Sequence, residues 1–549
     1  MRAMPLFRRA TLAALIAGAA LGLSPATAQE RAVATAGQPS DIAVTVYRDP
    51  ARTQYDELDR DNPLGFAMIT EKRRVTLPPG QSTLRFVGVA EGMVAVTAIV
   101  TGLPGGTIEQ NQDANLLSPA SLVDGTLGNR VTVTRTNPAT GEEVRESAIV
   151  RTQANGGLVL QTDDGYEAVR CSGVPERLEF DRVPGGLVPQ PVFSVDTLSP
   201  QGGTYDIELT YLAWGFDWEA TYVLTVGEGG RGSELPFKLL SWLTIVNDNG
   251  QTFPDARLMA VAGTLNVESD YEDLAEPPTA PPLRLTCYPI GSTATGSPVG
   301  YPPPPPPPPP PAPMLMEGEA IIVTGAKRSV ADFASPVAVL AGEEQLGDLK
   351  LYRVPVPVTV SAKGQKQIAF LQREAVEARF LYTARCDPWE RFEPDESGSD
   401  MDEASILLVT KNEERRGLGV ALPMGGFTLF EPSNAGDLLV AEQPLRDYAK
   451  GQDVEIELGS SAQVFSQCAR FDDEEPDEDG ARWTNMRARF TNANPHAVDV
   501  RLQLAYAGEF EAKVRRAKVE LKNGMRVANL RVPANSTREW TWRVRRTGR

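Results

Sequence analysis

Histidine is almost absent: the 549-residue chain has one, His496, in the turn-like run Asn494-Pro495-His496. Ser-His-Asp and Cys-His catalysis would have to run through that residue, and no nucleophile motif accompanies it. No HExxH or CxxC metal motif is present, and no glycine-rich phosphate loop. Most hydrolase, dinucleotide and zinc-enzyme readings therefore lose their usual parts, and the sequence yields no catalytic, cofactor or metal residue. Aromatic residues make up 7% of the chain, a poor supply for the two interfacial girdles of a membrane β-barrel. Beyond the N-terminus no stretch is apolar enough to span a bilayer as a helix. A formal net charge of −18 argues against nucleic acid or an anionic membrane surface as partner, since both select basic patches.

What is there begins with an export layout. Arg2, Arg8 and Arg9 precede the apolar stretch Ala10–Leu23, and Ala26-Thr27-Ala28 supplies small residues for cleavage between Ala28 and Gln29. About 14 apolar residues fall short of the ~20 a membrane span needs. Residues 1–28 thus read as a signal peptide. No cysteine lies near the cut to take a lipid, so the mature chain is expected to be soluble, in the periplasm or at the surface of a Gram-negative bacterium or secreted from it. Arg8-Arg9 with Leu12 also suits twin-arginine export, although paired arginines occur in ordinary signals too.

Four cysteines, Cys171, Cys287, Cys386 and Cys468, would meet an oxidising compartment, where three pairings are open to them. Pairing Cys171 with Cys287 and Cys386 with Cys468 keeps each bridge on one side of the main landmark, the ten prolines Pro302–Pro311. As polyproline II that run would reach ~31 Å and bury nothing. It lies in a biased stretch, residues 272–342, whose composition predicts a disordered spacer rather than a groove ligand.

Both flanks alternate with period two, as in Ile42–Tyr47, Ser82–Val87, Tyr205–Tyr211, Ser405–Thr410 and Glu539–Val544. Turn signals such as Asn137–Gly141 and Asn247-Asp248-Asn249-Gly250 separate the runs. This predicts an all-β chain of sandwich-like domains built from short, mostly antiparallel strands. The expected divisions are an N-terminal β domain (29–110), a first β-rich block (111–271), the spacer, and a second block (343–549). Only Glu511–Lys522 is ambiguous between helix and strand.

Carboxylates are abundant. Glu475, Asp477 and Asp479 before Gly480 echo a calcium loop, but Met486 stands where the closing Glu belongs, so the run Asp472–Asp479 reads as a solvated loop. Asp395, Glu396, Asp400, Asp402 and Glu403 read likewise. Trp214, Asp217 and Trp218 form the densest aromatic cluster, between two strand-like runs. Exposed, they would line a sugar site; buried, they would anchor a core, which the flanking strands favour.

The run Leu209–Tyr222 resembles the strand followed by Gly–aromatic–Trp–x–Ala–x–Tyr of a bacterial domain-of-unknown-function family, number four-one-three-nine, some of whose members carry a mucoidy-inhibitor label. Phe253–Arg257, Val261-Ala262-Gly263, Gly417-Leu418-Gly419, Leu422–Gly425 and Asn492–Pro495 resemble later parts of that domain in the same order. Labelled members have a helical insertion ahead of it; here the corresponding stretch reads as β. The resemblance implies an all-β envelope protein and brings no catalytic residues. A shorter run, Glu319–Arg328, resembles the segment that opens the plug of TonB-dependent outer-membrane receptors. The expectation is a non-enzymatic binding or assembly protein, with an envelope protein or a polysaccharide as partner. The alternative is a glycan-binding or glycan-processing protein using carboxylates and Trp214 or Trp218.

Overall fold

The computed structural model describes residues 31–113, 116–137, 140–153, 158–168, 177–184, 187–227, 234–263, 265–275, 340–391, 401–515 and 517–547. The leader with Ala28 and Gln29, Cys171, Cys287, Pro302–Pro311, Glu319–Arg328, Asp395, Glu396 and Asp400 lie outside these residues. The protein is all-β, with mostly antiparallel strands in sheets packed face to face. Period-two burial is seen in Thr484–Asn492: Met486, Ala488 and Phe490 are buried, while Asn485 is exposed and Arg487 and Arg489 are half-buried.

One sheet runs Gly342–Leu346, Leu349–Arg353, Phe253–Ala262, Asp41–Tyr47, Phe66–Leu77, Gly203–Trp214, Met93–Thr101. Beside it lies a four-stranded sheet of Ala32–Thr35, Gly80–Val87, Val192–Ser199 and Glu109–Asp113. Both share a core with Phe216–Val226, Leu235–Asn247 and Gly425–Ser433, which belong to the largest sheet. Segments 29–110, 111–271 and 343–549 therefore contribute to one core. Asp41–Tyr47 pairs in parallel with Arg257–Val261, and Ala220–Thr225 with Gly425–Phe430. Gly425 permits the second pairing, because a Cβ there would meet the Ala220 carbonyl oxygen at 1.8 Å.

Between Glu109–Asp113 and Val192–Ser199 the chain forms a small unit of its own. The helix Pro119–Gly125 and a five-stranded sheet enclose a separate core around Val131, Val133, Val150 and Leu160. A third core belongs to the C-terminal sandwich, around Phe490, Val500, Leu502, Trp542 and Val544. The ambiguous Glu511–Lys522 stretch holds all but the first residue of the strand Phe510–Val514 and the whole of Val519–Lys522.

The expected spacer is built into the fold at both ends. Its start overlaps the helix Tyr271–Ala275, where Ala275 is buried and Tyr271 packs edge-on to Phe66. At its other end Ala341 is buried and donates its N–H to Ala369, ahead of the strand Gly342–Leu346. Cys386 and Cys468 form the expected disulfide, with Cα atoms 4.9 Å apart.

Candidate functional site

The strand Gly364–Arg385 links the first core to the C-terminal one. It pairs with Leu235–Asn247 as far as Ala378, with Asp402–Lys411 from Arg379, and in parallel with Val500–Gln503 from Tyr382. Where its partners change, a cleft of about 460 Å³ opens, lined mostly by charged and polar side chains with Ala378, Val409, Leu521 and Val527 among them. The strand Asp453–Arg470 supplies two carboxylates by simple alternation: Val454 and Ile456 turn into the core, and Asp453 and Glu455 turn out.

Glu455 accepts from both terminal nitrogens of Arg501 at 2.9 Å, a fork geometry stronger than a single contact. Lys522 bridges Asp453 at 2.8 Å and Glu455 at 3.1 Å. In the same cleft Arg416 reaches Glu234 at 2.7 Å and Glu377 at 3.1 Å. Burial works to raise the Glu455 carboxyl, but the hydrogen bonds from Arg501 and Lys522 outweigh it and hold the group below the usual carboxylate range. The bond to Lys522 lowers Asp453 as well. The Lys522 ammonium is raised by these two partners against its own desolvation. At neutral pH Asp453 and Glu455 are thus ionised and locked to Arg501 and Lys522. Glycoside hydrolysis needs one carboxyl kept protonated as general acid, and neither Asp453 nor Glu455 suits that role.

Trp214, Asp217 and Trp218 lie elsewhere, and they knit the first core together. Trp218 is fully buried, its indole N–H donates to the Val261 carbonyl at 3.1 Å, and its ring packs at 6.4 Å from Tyr352. Tyr222, in the same motif, donates to the Pro423 carbonyl at 2.6 Å. Trp214 is half-buried; its carbonyl accepts from Asn249 at 2.9 Å. Gly215 follows with φ of +84°, the left-handed turn by which the chain leaves one sheet for the next. Asp217 is 2% exposed and pairs with Arg52 at 3.0 Å, while the backbone N–H groups of Asp49 and Trp218 donate to its other oxygen. Burial pushes its carboxyl up to about 6 despite those donors. With Asp217 and Trp218 enclosed, the three residues do not form an open sugar site; the core reading describes them.

Of the acidic loops, Asp472–Asp479 sits beside arginines. Asp473 pairs with Arg391 and Glu474 with Arg482, and both oxygens of Asp472 accept from Asn485. Among the described residues no group of three or more His, Cys, Asp or Glu is placed to hold a metal ion. His496 is exposed, and its carbonyl accepts from Asn492 at 2.9 Å.

Sequence reasoning missed the cleft. Asp453 and Glu455 share a strand face legible from spacing alone, but their partners Arg501 and Lys522 stand 46 and 69 residues away and read as ordinary surface cations. No family model matches the chain, and no curated protein matches it.

Proposed function

We propose that the protein is an exported component of a Gram-negative cell envelope that acts by binding or assembly rather than by catalysis. The observation that carries this reading is the state of the cleft carboxylates: Asp453 and Glu455 are held ionised by Arg501 and Lys522. Among the described residues the one carboxyl raised to about 6, Asp217, is sealed beneath Arg52. Export is supported by the layout Arg8-Arg9, Ala10–Leu23 and Ala26-Thr27-Ala28. The order of motifs from Leu209–Tyr222 to Asn492–Pro495 supports kinship with the family it resembles.

The test is a search for turnover. Mature protein is incubated with a panel of neutral and acidic polysaccharides, and released reducing ends are measured beside Glu455→Gln and Asp453→Asn variants. No release is expected from any of the three. Release by the wild type that either substitution abolishes would overturn the proposal.

A further inference from the structure

The net charge of −18 conceals a segregation. Sixteen of the 54 basic residues but only five of the 72 acidic ones fall in residues 481–549, leaving that segment at +11 and the remainder at −29. Thr484–Asn492, Ser536–Arg546 and Phe510–Val514 lie side by side in one antiparallel sheet. Their inward positions, among them Met486, Phe490, Trp542, Val544 and Phe510, fill the C-terminal core. Alternation therefore sends Arg487, Arg489, Arg543, Arg545 and Lys513 to the opposite face, with only Glu511 and Glu539 among them on these strands.

The centre of this face is crowded with like charge. Lys513 stands directly across from Arg543, a pairing that destabilises a sheet in the absence of a counter-charge. Three cations surround the Trp483 ring: Lys513 at 4.5 Å, Arg545 at 4.9 Å and Arg543 at 5.8 Å from its centre. Arg545 also pairs with Glu511 at 2.8 Å, whereas Lys513 and Arg543 make no ion pair among the described residues. The acidic loop engages Arg391, Arg482 and Asn485 rather than Lys513 or Arg543, and Glu511, already paired with Arg545, is the one acidic side chain on these strands that acts on Lys513.

We propose that this outward face binds a strand of anionic polysaccharide, with Lys513, Arg543 and Arg545 around Trp483 as its centre. The inference rests on the binding reading above and names its partner class. Charge complementarity selects a polyanion. A slender chain fits better than a bilayer, because a broad anionic surface would also approach the acidic loop and the acidic remainder of the molecule. The cations over Trp483 obstruct base stacking on that ring, which single-stranded nucleic acid binding uses, so a polymer recognised by its carboxylates fits better.

The probe is polygalacturonate, a carboxylate-bearing glycan, titrated into the full mature protein by calorimetry. Neutral dextran and a thymidine oligonucleotide are titrated in parallel. Polygalacturonate is expected to bind, dextran not to bind, and the oligonucleotide to bind more weakly; raising salt from about 50 to about 200 mM should weaken the complex. A Lys513→Gln/Arg543→Gln variant should lose about tenfold or more in affinity while remaining folded, since the repulsion it removes offsets the lost contacts with Trp483. Arg531→Gln, exposed on another strand and paired with Asp499, should bind as the wild type does. Equal affinity of the double variant and wild type, tighter oligonucleotide binding, or equal dextran binding would each overturn the proposal. Failure to bind with no glycan turnover removes this inference alone, whereas turnover with binding intact removes only the non-catalytic reading.

Discussion

Opening the Cys386–Cys468 bridge should cost the C-terminal sandwich much of its stability. The bridge ties Cys386, just beyond the strand Gly364–Arg385, to the strand Asp453–Arg470; Cys386 belongs to the third core and Cys468 packs against it. The two cysteines are 82 residues apart, so in the chain-entropy picture the bond denies the unfolded chain about 4.5 kcal/mol of loop freedom at 25 °C. For a unit of this size that corresponds to a fall of roughly 9–18 °C in melting temperature. Urea unfolding of the Cys386→Ala/Cys468→Ala protein, compared with the oxidised wild type by near-ultraviolet circular dichroism, measures the loss directly. A loss below about 1 kcal/mol would refute the reasoning and mean that the unfolded segment stays compact without the bond.

Trp218→Ala should destabilise the first core by about 3–5 kcal/mol in chemical denaturation, through the cavity and the orphaned Val261 carbonyl. Calorimetric affinity for polygalacturonate should be unchanged at temperatures where the variant is folded. The ion network of the cleft should give stability an edge at each end of the pH scale. Asp453 and Glu455 are lowered, so their contribution is complete above their unfolded values near 4 and is lost as pH falls through the folded ones. Lys522 is raised, so its contribution is complete below about 10.4 and is lost as pH rises through the folded value; Arg501→Gln should flatten the acid edge in denaturation curves. Protein recovered from the envelope of producing cells should begin at Gln29 by N-terminal sequencing, and an intact Met1 would count against export.

Alternation exposed most strands because one face of each is buried. It failed where polar side chains point inward. In Phe66–Leu77 the inward positions include Glu71 and Arg73, a buried ion pair with Tyr211 donating to Glu71 at 3.3 Å, so the apolar alternation that marks a strand is interrupted. Gly364–Arg385 was not legible as one long strand, because it shifts register and changes partners along its length. The parallel pairing of Ala220 with Gly425 joins residues about 200 apart, which no local pattern encodes. Trp218 was legible as a core anchor, with Trp214 and Asp217, because strand-like runs flank the cluster. The basic face was hidden by the overall acidity: a single net charge averages away a segment of opposite sign.

A cleft without a proton donor at Asp453 or Glu455 requires both carboxyls to be ionised. Carbon-13 resonances of the side-chain carboxyls of Asp453 and Glu455, assigned by comparison with Asp453→Asn and Glu455→Gln, can be followed from acid to neutral pH. Locked carboxylates predict that both titrate below their ordinary values of about 3.9 and 4.3. A midpoint of about 6 or higher at either residue would place a proton donor in the cleft and contradict the non-catalytic reading.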